Sequence, residues 1–205
     1  YDALVKAFDK FGLGGNEWLS WINADDHFLP GAFAHVSKCS ASYDIQWITG
    51  ISSVMEADGS LKQSFRPVNS AIISRGLADG KHWNFLQQEG TFFKAKLWGA
   101  IDKTAFNSFR YAGDWNLWVQ FASISQIHIA RRVMANFCKV QGQLSEVGMS
   151  KYIEEINRCI SEQQRLASLE SFPVSEGEML VFEDKEGKIE MVQGSVLGHF
   201  VAKLK

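Results

Sequence analysis

Three aspartates in this chain have the type and the setting to do chemistry. Asp25 and Asp26 stand side by side where the apolar run Trp18-Leu19-Ser20-Trp21-Ile22 breaks off, just ahead of Leu29-Pro30. A buried strand that delivers acids at its carboxyl end points them into the crevice where open α/β sheets bind ligands. Adjacent carboxylates repel one another and resist desolvation, so the pair is easier to explain if a divalent cation lies between protein and ligand. A plainer reading makes it a surface turn, with one acid capping the helix that Pro30 begins. Asp114 precedes Trp115-Asn116-Leu117-Trp118-Val119-Gln120-Phe121-Ala122, whose apolar spacing is helical. It therefore sits at a helix amino terminus, where free N–H groups and the dipole favour negative charge; an ordinary N-cap would look the same. Asp26 and Asp114 are far apart in sequence, so only the fold can bring them together.

The elements that must position these acids can be read from periodicity. Tyr1, Leu4, Val5, Phe8 and Phe11 have helical spacing, and Gly12, Gly14 and Gly15 end that helix. These glycines are no phosphate loop, since they follow a helix and lack the Lys-Ser/Thr pair. A strand over 18–22 leads into the carboxylate loop. A helix over 30–39 follows, with Leu29, Phe33 and Val36 on one face. Residues 45–55 form an extended segment turned by Asp58-Gly59, and Asn69 caps a short helix through Leu77 that Asp79-Gly80 closes. Residues 85–88 read as a short strand or extended piece leading to Gln87-Gln88-Glu89-Gly90-Thr91-Phe92-Phe93, a polar cluster set against aromatics, and then to a helix over 94–99. Residues 127–140 are strand material, and 150–166 form an amphipathic helix with Tyr152, Ile153, Ile156, Cys159 and Ile160 on one side. After Pro173, two apolar stretches flank Glu183-Asp184-Lys185-Glu186-Gly187, a hairpin signature that reads as an add-on to the main sheet.

Composition narrows the function classes. The 205 residues suit one domain with a small appendage; 46% are hydrophobic and 21% charged, as in an ordinary globule. A net charge of −2 gives no general attraction to nucleic acid or to an anionic membrane. The seven tryptophans would suit sugar-stacking faces, though bulky cores use the same residues. Cys39, Cys138 and Cys159 are odd in number and widely spaced, which suggests neither a disulfide framework nor a zinc site and makes a reducing cytosol the natural compartment. No apolar run is long enough to span a membrane. Attachment to the inner membrane face through a partner or a lipid substrate stays open.

Taken in order, the motifs resemble family 2 glycosyltransferases of the GT-A fold. The residues are Tyr1-Asp2-Ala3-Leu4, Trp21-Ile22-Asn23-Ala24-Asp25-Asp26 with Leu29-Pro30-Gly31, Gln87-Gln88-Glu89-Gly90-Thr91-Phe92-Phe93 with Leu97-Trp98, and Gly113-Asp114-Trp115-Asn116-Leu117-Trp118. Gln141-Gly142-Gln143-Leu144-Ser145 and Tyr152-Ile153-Glu154-Glu155-Ile156 complete the series, which covers residues 1 to about 158. Departures fall at Val5, where the family often has Asn, and at Phe137-Cys138-Lys139-Val140, which has no Arg at 138 and no His at 140.

The resemblance implies an α/β fold, part of a GT-A mixed sheet flanked by helices over residues 1–166, while the hairpin pattern makes 172–205 a small β-hairpin appendage or a linker to a further segment. It also implies that the family's amino-terminal strand-helix units, which hold the nucleotide base, precede Tyr1, so that these 205 residues are expected to be part of a longer enzyme and to be inactive by themselves. The activity implied is transfer of a sugar from a nucleotide-sugar donor to a hydroxyl on a saccharide or lipid-linked acceptor, with inversion. In that scheme Asp26 is the ligand of a Mg²⁺ or Mn²⁺ ion and Asp25 lies near the donor. Asp114 is the general base. Gln88, Glu89 and Thr91 line the floor, and Trp115 or Trp118 offers a stacking face. The chemistry suits these residue types, since a cation held by hard carboxylate oxygens stabilises a departing diphosphate and a carboxylate takes the acceptor's proton. Two rival expectations are a non-catalytic carbohydrate-binding or scaffold protein and a metal-dependent hydrolase that uses Asp25 and Asp26.

Overall fold

The computed structural model describes residues 1–11, 15–140, 142–143 and 148–198. Gly12, Gly14, Gln141, Leu144, Ser145 and the end of the 172–205 segment lie outside the described residues.

Strand pairing organises the chain. Among the described residues nine strands form a mixed sheet ordered β1 (Trp18–Leu19), β5 (Phe92–Lys94), β3 (Trp47–Met55), β6 (Ile127–Val133), β8 (Glu178–Lys185) and β9 (Lys188–Ser195). Off this path, β4 (Leu61–Ser64) pairs with β3, while β7 (Ala135–Cys138) pairs with β3 and with β2 (His27–Phe28). Val54 of β3 is partnered by Lys62 of β4 on one edge and Phe137 of β7 on the other, so those two strands flank the end of β3.

Side chains on successive strand positions go to opposite faces. Trp47, Phe93, Ile129 and Val181 bury one face against α1 (Asp2–Phe11), α3 (Ser70–Ser74), α4 (Ala95–Gly99), α5 (Lys103–Asn107) and α6 (Gly113–Ile124). Their neighbours Ile48, Phe92, Ala130 and Phe182 bury the other against α2 (Ala32–Ser42). The fold is thus α/β, with helices on both faces of a mixed sheet. Two further helices, α7 (Met149–Cys159) and α8 (Glu162–Glu170), follow β7. Among the described residues no helix is long and apolar enough to cross a membrane.

Several elements differ from expectation for identifiable reasons. The strand expected over 18–22 pairs only at Trp18 and Leu19, because β5 offers just Lys94 and Phe93 as partners. Residues 85–88 form no strand. The second helix buries Val36 as expected, with Ala32, His35 and Cys39, but turns Phe33 outward, 61% exposed. Its start falls after Gly31, whose φ of 82° suits glycine alone, and not at Pro30. The third helix stops at Ser74, short of Leu77, with Gly76 in the left-handed region. The 150–166 helix is broken at Ile160, where Ser161 and Gln164 form a capping box that begins α8. Cys159, expected on the apolar face, is exposed. The 127–140 strand is interrupted at Met134, and the hairpin after Pro173 is no separate add-on: β8 pairs in parallel with β6 through His128–Leu180, Ile129–Val181 and Ala130–Phe182.

Candidate functional site

The residues after β1 leave the sheet and turn at Ala24-Asp25, and two side chains hold that turn in place. Asp26 Oδ2 accepts from the Asn23 backbone N–H at 3.3 Å and from Asn23 Nδ2 at 2.9 Å. Asp26 Oδ1 accepts the Cys138 N–H of β7 at 2.8 Å. The acid is buried and ties the loop to the sheet; it does not cap α2, whose N-cap is Gly31 with no side-chain bond. Asp25 is exposed, and its Oδ2 accepts from Gln143 Nε2 at 2.7 Å.

The polar cluster before β5 approaches the same place. Gln87 accepts from Ser52 Oγ at 2.6 Å and Ser53 N–H at 3.0 Å, and donates to the Ser53 carbonyl at 3.0 Å, which pins the loop to β3. Thr91 Oγ1 donates to the Gln87 carbonyl at 2.7 Å and lies 2.9 Å from Thr49 Oγ1. Between these anchors Gly90, at φ 81°, passes close to Ala135; a Cβ there would come within 3.3 Å of the Ala135 nitrogen. The turn presents Glu89 beside Asp26, the two carboxylates sharing the Asn23 amide, which lies 3.4 Å from Glu89 Oε1. Burial, and then the charge of Asp26, push the Glu89 carboxyl up to about 8.

Asp114 is brought in by the amino terminus of α6. It lies in the helix's first turn, and Ala112 is the N-cap, so it is not the capping residue. Glu155 of α7 performs the anion's part there, accepting from the N–H groups of Arg110, Tyr111 and Ala112 at 2.8 to 3.0 Å. Asp114 Oδ1 accepts the Trp115 N–H at 2.8 Å, and no side chain donates to the carboxyl among the described residues. Burial raises its pKa to about 6 although backbone N–H groups oppose the shift. The ring of Tyr1 packs on Gly113, where a Cβ would come within 2.3 Å of it. Burial and the Asp114 charge raise the pKa values of Tyr1 and Tyr152.

These pieces line one cavity of about 540 Å³, within the size range of small-molecule sites. Asp25, Gln88, Glu89 and Asp114 all face it, together with Asn23, Arg66, Tyr111 and Tyr152. The buried Gln88 Nε2 donor has no partner among the described residues. Asp26 sits behind Asn23 and Glu89, outside the lining. The other expected site residues serve structure. Thr91 is wholly buried as a loop anchor. Trp115 is buried with its indole N–H on the Gly76 carbonyl at 3.2 Å. Trp118 is stacked against Trp21 and Trp47 at 5.6 and 6.0 Å. Neither indole leaves a face open for a sugar.

A divalent cation fits the donor set in part. Asp26 and Glu89 are neighbouring hard-oxygen ligands whose repulsion a cation would relieve, as a proton does. Among the described residues no three His, Cys, Asp or Glu side chains converge to hold an ion by themselves. Phosphate oxygens and water would have to complete the shell, as is usual for Mg²⁺. Sequence reading missed Asn23, Gln87, Arg66, Tyr152 and Glu155 as individual contributors. Asn23, Gln87, Tyr152 and Glu155 stood only as members of the ordered motifs, and nothing marked Arg66. No protein-family model matches the chain, and no curated protein matches it by sequence.

Proposed function

We propose that the protein is an inverting glycosyltransferase that moves a sugar from a nucleotide-sugar donor to an acceptor hydroxyl, with Asp114 as general base. The observation that carries this reading is the shared cavity, in which an underbonded acid on α6 faces the carboxylate loop. A hydroxyl is a poor nucleophile until its proton is taken. In the reaction the acceptor oxygen bonds to the anomeric carbon from one face while the bond to the diphosphate oxygen breaks on the other. The hydroxyl proton passes to Asp114, and the electron pair leaves with the nucleoside diphosphate.

A pKa near 6 suits the task, because the carboxylate is mostly ionised at neutral pH yet more basic than an exposed aspartate. Gln88 offers its unpaired donor to donor-sugar or acceptor oxygens. Asp26 and Glu89 would hold Mg²⁺ or Mn²⁺, with phosphate oxygens and water completing the shell, and the ion would supply a Lewis acid for the departing diphosphate.

The test is a screen of nucleoside diphosphate sugars with Mg²⁺ or Mn²⁺ and a set of saccharide and lipid-linked acceptors. Release of nucleoside diphosphate that depends on acceptor is the expected result. Release of free sugar at the same rate without acceptor would replace this reading with hydrolysis.

A further inference from the structure

Arg66 is a cavity cation without an acid. It follows β4, is half-buried, and donates from Nε to Ser64 Oγ at 3.1 Å. Among the described residues no carboxylate pairs with its guanidinium. Arg75, Arg131 and Arg165, by contrast, pair with Glu176, Glu183 and Asp79. Burial lowers the Arg66 pKa with no acid to offset it. Partial desolvation of a guanidinium that keeps free donors is unfavourable unless a ligand supplies the acceptor oxygens.

The topology separates this cation from the carboxylate loop. Asp26 is fixed by β7, on one edge of β3, while Arg66 follows β4, on the opposite edge. Ser52 and Val54 of β3, which line the cavity, lie between them. A ligand group at Arg66 therefore meets the β4 edge of β3, and one at the carboxylate loop meets its β7 edge. Phe85, Tyr111 and Tyr152 line the same cavity and offer apolar surface to a sugar ring.

Resting on the glycosyltransferase reading, we propose that the acceptor is an acidic saccharide whose carboxylate or phosphate is received by the Arg66 guanidinium. The planar fork matches two anion oxygens, which a neutral sugar cannot supply.

The test is calorimetric or NMR titration of the protein with methyl β-D-glucuronide, glucose 6-phosphate, methyl β-D-glucoside and inorganic pyrophosphate. It is repeated on Arg66→Gln and Arg66→Lys, with circular dichroism confirming the fold. The wild type should bind one of the acidic sugars about tenfold or more tightly than the neutral glucoside, as charge-assisted bonding implies. Arg66→Gln should lose that preference, Arg66→Lys should keep part of it, and pyrophosphate should leave the acidic sugar in place. The proposal is overturned if neither acidic sugar outbinds the glucoside or if the preference survives in Arg66→Gln. It is also overturned if pyrophosphate displaces the sugar and itself binds more weakly to Arg66→Gln, which would assign the guanidinium to the donor. None of these results touches acceptor-dependent release of nucleoside diphosphate, so the two readings fail separately.

Discussion

Asp79 and Asp114 are both enclosed aspartates, yet they sit in opposite surroundings. Asp79 is satisfied on both oxygens: Oδ1 accepts the N–H groups of Lys81 and His82 at 2.9 and 2.8 Å, while Oδ2 meets His82 Nδ1 at 2.6 Å and Arg165 Nε at 3.0 Å. Arg165 is itself fully buried and donates onward to the Ile160 carbonyl and to Asn157. That network ties the loop after α3 to α7 and α8, and neither Asp79 nor Arg165 lines the cavity that Asp114 faces. Asp114 has one backbone N–H at 2.8 Å and a cavity in front of it. An acid whose lone pairs are filled by protein is a structural joint, whereas one enclosed and left underbonded keeps its basicity for a ligand.

Substitution should separate the two most sharply. Asp114→Asn should lower transfer about 10²- to 10⁴-fold, the usual share of a general base, while leaving the fold intact by circular dichroism. Removing one member of the buried pair, by Asp79→Ala or Arg165→Met, should destabilise the fold by about 3 to 5 kcal/mol in urea unfolding. Any activity lost there should track the unfolded fraction.

The stability effects should also differ in sign. The folded-state pKa of Asp114, about 6, exceeds the ordinary carboxylate value, so the folded state holds that proton more tightly than the unfolded chain. Stability from this group is therefore greatest below the unfolded pKa and falls as pH rises towards 6. Asp114→Asn should consequently be more stable than wild type at pH 7, by about 2 to 3 kcal/mol, and the difference should vanish near pH 4. A smaller effect sharpens the structural side: Ser161→Ala removes the capping box of α8, which carries Arg165, and should cost about 1 kcal/mol.

The sequence showed the framework better than the site. The extended segment read over 45–55 contains β3, and Asn69 announced its helix by the cap it makes, whereas Phe92-Phe93 stood only as aromatics beside a polar cluster and gave no sign of β5. Asp25, Gln88, Glu89 and Asp114 were legible because each lies in an ordered motif, and the cavity does gather all four. Trp115 and Trp118 misled because an aromatic residue looks the same whether it packs a core or faces a ligand. The roles of Arg66 and Glu155 were hidden for another reason: they lie in which partner each lacks or finds across the fold, 44 positions away for Glu155 and Tyr111. The pairing of β8 with β6 was hidden in the same way, since a hairpin signature fixes the turn and not the sheet it joins.

The most direct test of Asp114 as the base is the pH dependence of kcat/KM for sugar transfer by wild type and Asp114→Asn side by side. The wild type should lose activity as pH falls through about 6, and the residual activity of the variant should lack that limb. An identical acidic limb in both proteins, or transfer by Asp114→Asn at the wild-type rate, would contradict the assignment.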